Sequence, residues 1–181
     1  LQQAVQELRQ ASGEPLEAIQ RAQHAVAAPT SAVEVGPSID LPLAAYLPED
    51  LIPETQPRLR LYRRLARLET PAEVAEMAQE LRDRFGALPE AVHDLLYLLQ
   101  VRALATQAGV QSVTADAQSI ALALPFPLSA TAAERLTAQQ PNVRARGSRI
   151  WLSLAPGWRE ALLQLLERLG ALRLAPIHPQ P

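Results

Sequence analysis

The stretch from Leu47 to Gly109 constrains the fold most, because it combines helical periodicity with strong signals for where helices begin and end. Within it, Thr70-Pro71-Ala-Glu73 provides a capping threonine, a proline at the first helical position and a glutamate three residues after the cap. Gly86 can then end the helix in a left-handed conformation. The sequence therefore predicts a helix from Thr70 to about Phe85.

Two further helices are predicted on either side of this one. Thr55 is a candidate cap for a helix that runs to about Leu68. The apolar face of that helix would consist of Leu61, Tyr62, Leu65 and Leu68. A third helix is predicted from Pro89 to just before Gly109, and it is apolar on several sides, which indicates the most buried helix.

From Val110 onwards the hydrophobic period changes from helical to alternating. Two strand pairs are predicted, each followed by a helix. The first unit comprises Ser112–Ala115, Ser119–Leu124 and a helix over 129–140; the second comprises Val143–Ala145, Arg149–Leu154 and a helix over Trp158–Leu169. The predicted fold class is α+β: a helical cluster followed by a small sheet with covering helices, built from two ββα-like units.

The two ends of the chain are less regular. Residues 1–12 suit a short helix, and 13–38, rich in Ala, Pro, Ser and Gly, are typical of a linker. Prolines interrupt the extended segment Val33 to Leu43, so any strand there is expected at a sheet edge. A domain over 39–172 and a frayed tail over 173–181 complete the predicted organisation.

The composition excludes several kinds of chemistry. There is no cysteine, so neither a disulfide framework nor a thiolate metal site can form. All 17 cationic residues are arginine, and without lysine a phosphate-binding P-loop cannot be built. The three histidines lack metal-ligand spacing, so we expect no catalytic residue, metal site or cofactor in this chain. No apolar run is long enough to cross a bilayer and no signal peptide is present, which favours a soluble, cytoplasmic protein.

Acidic residues recur at helical spacing on the predicted second helix and form a stripe: Glu73, Glu76, Glu80 and Asp83. Such a stripe is either a solvated face or a docking surface for a basic partner. Arg84, four residues after Glu80, can pair with it. Asp83 opposes the helix macrodipole, so helix stability does not explain it. It could instead accept hydrogen bonds from Arg84 or from the preceding, arginine-rich helix.

That preceding helix carries a stripe of Arg60, Arg63, Arg64 and Arg67. Four arginines on one face can bind phosphate, so a nucleic-acid-binding module is the alternative function. The net charge of −2 argues against a strongly basic nucleic-acid binder. The arginines can equally pair with the acidic stripe of the next helix.

An ordered set of motifs resembles the C-terminal domain of bacterial transcription-repair coupling factors. The motifs are Tyr46-Leu-Pro48, Ile52-Pro53, Arg58 with Tyr62, Glu80-Leu-Arg-Asp-Arg-Phe-Gly86 and Leu88-Pro89. The resemblance is strongest from about Ile39 to Gly109 and weaker to about Leu169. It implies a piece of an ATP-dependent DNA translocase that displaces stalled RNA polymerase and recruits UvrA for nucleotide excision repair. Residues 1–38 would then be the tail of the translocase module plus a linker, with ATP and Mg bound only in that motor module.

The resemblance also implies an autoinhibitory role. In that family the domain packs against an N-terminal, UvrB-like module of the same protein and masks its UvrA-recruiting surface. By this resemblance Glu80 and Asp83 would meet basic residues of that module, and Arg84 would support them. Further interface candidates are Glu76, Arg63 and Arg64. Phe85 and Gly86 are expected to fix the helix end rather than to touch the partner.

Overall fold

The computed structural model describes residues 36–174, in which five helices and a five-stranded mixed sheet form an α+β fold. The predicted fold class is therefore confirmed. Chain contacts separate the described residues into a first unit, 43–99, and a second unit formed by 36–42 and 100–174. The predicted helix over 1–12, most of the predicted linker and residues 175–181 lie outside the described residues.

The first unit contains the predicted helical cluster. Its helices are α1 (Thr55–Ala66), α2 (Pro71–Phe85) and the first part of α3 (Glu90–Ala108), which continues into the second unit. The predicted cap at Thr55 was one residue late, because Glu54 holds the N-cap position and Thr55 is already helical. Glu54 makes no side-chain capping bond, so the start of α1 depends on packing rather than on a cap.

Apolar residues of all three helices form one core in this unit. Tyr62 of α1 is fully buried, and its hydroxyl accepts a hydrogen bond of 2.7 Å from the backbone N–H of Leu47. Arg58 is only 3% exposed; its guanidinium donates to the Ile52 carbonyl and to Glu49, each at 2.8 Å. The other buried members of this core are Leu65, Val74, Met77, Leu81, Val92, Leu95, Leu96 and Leu99.

The second unit is built on the sheet. Its strands are β1 (Ser38–Asp40), β2 (Ser112–Ala115), β3 (Ser119–Ala123), β4 (Val143–Arg146) and β5 (Arg149–Ser153), in the order β1-β2-β3-β5-β4. β1 lies at one edge of the sheet, as Pro37 and Pro42 on either side of it predicted. It is parallel to β2, and the other pairs are antiparallel. Both predicted ββα units are present, the helices being α4 (Ala130–Gln139) and α5 (Trp158–Leu174). α5 extends five residues beyond the predicted end at Leu169 and includes the first two residues of the predicted tail.

The sheet buries one of its faces. Alternate residues of β2, β3, β4 and β5 are buried, whereas most of their neighbours are exposed or half-buried. The buried members are Val113, Ile120, Leu122, Val143, Ile150 and Leu152. Across the described part of the chain, no helix is both long enough and apolar enough to cross a membrane.

We predict that Tyr62→Phe destabilises the first unit by about 1–3 kcal/mol, because it leaves the buried Leu47 N–H without its acceptor. Urea unfolding followed by circular dichroism measures the change. Tyr46→Phe is the matched control, since Tyr46 is 45% exposed and its change should stay within about 0.5 kcal/mol. Equal stabilities of the two variants would contradict this role of the Tyr62 hydroxyl.

Candidate docking site on helix α2

Helix α2 begins at the predicted capping box. The Thr70 hydroxyl accepts a hydrogen bond of 3.2 Å from the Glu73 N–H, and the Glu73 carboxylate accepts bonds of 2.9 Å from the N–H groups of Thr70 and Glu69. These backbone donors hold the pKa of Glu73 below its ordinary value. Glu73 therefore serves the helix start, which removes it from the acidic residues available to a partner.

The other end of α2 is also fixed. Gly86 has a φ of 73°, as the sequence predicted, and its N–H donates to the Arg82 carbonyl at 2.8 Å. Phe85, the last helical residue, is half-buried and packs against the core. The edge of α2 that carries Asp83 and Arg84 is therefore held at a defined position.

The charged face of α2 is exposed because the opposite face is buried. Val74, Met77 and Leu81 lie in the core, so the residues between them at helical spacing must face solvent. Together they line a shallow, open depression. Its lining residues are Glu76, Gln79, Glu80, Asp83 and Arg84, and we call this set the α2 face.

A bidentate ion pair joins the α2 face to α1. Arg64 Nη1 and Nη2 donate to the two carboxylate oxygens of Glu80 at 2.5 and 2.6 Å. The hydrogen bonds from Arg64 hold the pKa of Glu80 below its ordinary value and raise that of Arg64. The sequence left open whether the arginine stripe pairs with the acidic stripe. Among the described residues, the two stripes pair at Arg64 and Glu80.

The structure corrects the partners expected for Asp83 and Arg84. Asp83 Oδ1 accepts a hydrogen bond of 2.8 Å from Gln79 Nε2, rather than from an arginine. Arg84 forms no ion pair with Glu80; its guanidinium lies 5.1 Å from the centroid of the Phe85 ring. Arg84 still lowers the pKa of Glu80 through its charge, as a smaller contribution than that of Arg64. Both side chains remain exposed at the helix end.

The remaining arginines of the stripe on α1 and its C-cap present a weaker site. Arg60, Arg63 and Arg67 are exposed, but Arg64 is already paired with Glu80. The aromatic residue of this helix, Tyr62, is buried and cannot stack on a base. In the described part of the chain no cluster of three or more potential metal ligands is found.

Sequence reasoning missed one member of the α2 face and one partly buried ion pair, in which Arg58 is buried and Glu49 is exposed. Gln79 stands four residues before Asp83, a spacing at which helical side chains meet, so this contact was detectable. The Arg58–Glu49 pair joins a helix to the loop before it. No helical period relates those two residues, so no sequence pattern predicted that contact.

A solved structure shares this fold. The chain resembles a crystal structure of the C-terminal domain of a transcription-repair coupling factor with a TM-score of 0.63, over 77% of this chain and 94% of that chain. Sequence identity over that match is 19%, so this likeness concerns the fold alone.

Sequence comparisons then define the family. Residues 41–133 match the model of the TRCF domain family, and the chain belongs to that family. It is 38% identical over 110 residues to the transcription-repair-coupling factor of Mycobacterium tuberculosis (strain CDC 1551 / Oshkosh), a match that covers 61% of this chain and 9% of that protein. The corresponding protein of Escherichia coli (strain K12) is 36% identical over 75 residues, which cover 41% of this chain and 6% of that protein. The matched parts of the chain thus correspond to less than a tenth of the length of these relatives.

We predict that Arg64→Gln raises the pKa of the Glu80 carboxyl toward its ordinary value, because the donors that favour the ionised form are lost. Carboxyl ¹³C chemical shifts recorded against pH measure it. Since the pKa is lowered in the folded chain, the ion pair is present at neutral pH and is lost as pH falls through that value. Arg63→Gln is the control and should leave the Glu80 titration unchanged. An unaltered titration in Arg64→Gln would contradict the ion pair.

Proposed function

We propose that this chain is the autoinhibitory interaction domain of a transcription-repair coupling factor, and that the α2 face is its docking surface. In this proposal the α2 face binds basic residues of the N-terminal, UvrB-like module and so masks the surface that recruits UvrA. The whole protein would be an ATP-dependent DNA translocase that acts on stalled RNA polymerase. Membership of the TRCF domain family supports this assignment.

The single observation that carries the proposal is the exposed, structurally fixed set of charges on α2. Three of the five residues of the face are carboxylates, and a capping box and a glycine define the two ends of their helix. Exposed carboxylates on a rigid element suit selective contact with a cationic surface. Glu80 is held by Arg64, so less side-chain entropy remains to be lost when a partner binds.

The polar character of the face also suits a reversible contact. An autoinhibitory contact must be strong enough to hold at rest and weak enough for another ligand to displace it by its differential affinity. Exposed charge pairs contribute more to specificity and association rate than to affinity, and salt weakens them. Tethering within one protein would raise the effective concentration and compensate for a modest affinity.

We predict that the chain binds the separately produced N-terminal module in calorimetry, and that Glu80→Arg with Asp83→Arg weakens the binding at least tenfold. The substitutions replace two negative charges by two positive ones, which would repel a basic partner. The matched control is Asp50→Arg with Glu69→Arg, which changes the net charge equally at exposed positions outside the α2 face. Binding of the control should be close to that of the unaltered chain.

Several outcomes would contradict the proposal. Equal weakening by both double variants would indicate a dependence on net charge alone. Unchanged binding in Glu80→Arg with Asp83→Arg would exclude these residues from the interface. In the full-length coupling factor the same double variant should increase UvrA binding, and an unaltered UvrA affinity would contradict the masking role.

A further inference from the structure

The sheet of the second unit carries a cluster of arginine and aromatic side chains that the α2 face does not involve. In β4 and β5 the buried residues are Val143, Ile150 and Leu152. Because side chains alternate between the two faces of a strand, the residues between them lie on the opposite face. Those residues include Arg144, Arg146, Arg149 and Trp151; the arginines are exposed and the tryptophan is half-buried.

Strand register places these side chains next to one another. Trp151 lies opposite Arg144 on β4 and opposite Ala121 on β3, so one neighbour is a guanidinium and the other a small side chain. Directly opposed residues in antiparallel strands have Cβ atoms about 4.5–5.5 Å apart. A small side chain such as that of Ala121 covers less of a neighbouring indole ring than a large one would, and Trp151 is half-buried.

The charges of this cluster are not compensated locally. Arg146 and Arg149 are directly opposite each other, an arrangement of like charges that destabilises a strand pair. Among the described residues none of the three guanidinium groups has an ion-pair partner. Asp40 lies on the same face of the sheet, but it belongs to β1. Three strand spacings separate β1 from β5, a distance of about 14 Å. A local conflict of this kind is typical of a functional surface, and a bound anion would relieve it.

A second aromatic residue, Phe126, stands in a loop that is hydrogen-bonded to the turn between β4 and β5. Phe126 is 76% exposed, and prolines precede and follow it. Backbone hydrogen bonds of 2.8 and 3.0 Å join its loop to Ser148 and Gly147, in the turn that connects Arg146 to Arg149. Because proline fixes φ, this loop has little conformational freedom to lose when a ligand binds.

We propose that this surface, formed by Arg144, Arg146, Arg149, Trp151 and Phe126 and called the sheet platform, binds single-stranded DNA. Guanidinium groups bind phosphates, and exposed aromatic rings stack on bases that are free of a complementary strand. Ala121, which lies opposite Trp151 on β3, offers no hydrogen-bonding side chain to a ribose 2′-hydroxyl, which favours DNA over RNA at that position. Segments 33–42 and 100–181 contain eight arginines against six acidic residues, although the whole chain is acidic.

The test uses the 181-residue chain and a fluorescein-labelled oligothymidylate of about 12 nucleotides, with binding followed by anisotropy. Three phosphate contacts predict that affinity falls roughly twentyfold between about 50 and about 200 mM salt. Replacing Arg144, Arg146 and Arg149 by Gln should remove most of the binding and its salt dependence. Trp151→Val should weaken binding about tenfold and leave the salt dependence in place.

The matched control, called the α1 control, replaces two exposed arginines of α1 and the exposed arginine at its C-cap, with Arg60→Gln, Arg63→Gln and Arg67→Gln. It should bind like the unaltered chain. Circular dichroism and thermal melting verify the folding of each variant. Trp158→Phe leaves Trp151 as the remaining one of two tryptophans, and its fluorescence should be quenched by the DNA. Because Trp158 is not part of the sheet platform, this fluorescence measurement tests the platform with all of its residues in place.

Four results would overturn the proposal: no binding at low salt, equal loss in the α1 control, duplex DNA bound as tightly as the single strand, or a tenfold preference for RNA of the same sequence. The platform and the α2 face lie in different units, and their variants share no residue. Failure of one proposal is therefore distinguishable from failure of the other.

Discussion

The burial of one side of α2 is the constraint on which the candidate docking site depends. Val74, Met77 and Leu81 pack with the buried Tyr62 and Leu65 of α1, and this packing sets the rotation of α2 about its own axis. The carboxylates of the α2 face are exposed as a direct consequence. A substitution in this core would therefore disturb the α2 face without replacing any of its charged residues.

Within that framework, the Arg64–Glu80 ion pair has a positioning role rather than a stabilising one. Both side chains are substantially exposed, and exposed ion pairs contribute little to the free energy of unfolding. The bidentate geometry nevertheless fixes a carboxylate in the middle of the α2 face. It also neutralises one charge of each stripe. Asp83 and Glu76 carry the negative charge of the face that no arginine compensates.

Local signals predicted much of the fold because they act over a few residues. The cap at Thr70 and the glycine at position 86 fix both ends of α2, and alternation located four of the five strands to within a residue. Partners between elements were less predictable. For Glu80 the candidate partners were Arg84, four residues later on the same helix, and the arginines of α1. Because helical spacing does not give the distance between two helices, it could not identify Arg64 as the partner. The sheet platform was missed for the same reason, since it exists only once register places Arg144 beside Trp151.

The most direct test of the central claim is to map the contact itself. Amide ¹H–¹⁵N spectra of the labelled chain, recorded while the unlabelled N-terminal module is added, report which residues change environment. Docking through the α2 face predicts that the largest shift changes occur between Glu76 and Gly86, with smaller ones near Arg64 on α1. Changes confined to the sheet, or α2 amides unaltered at saturation, would contradict the account.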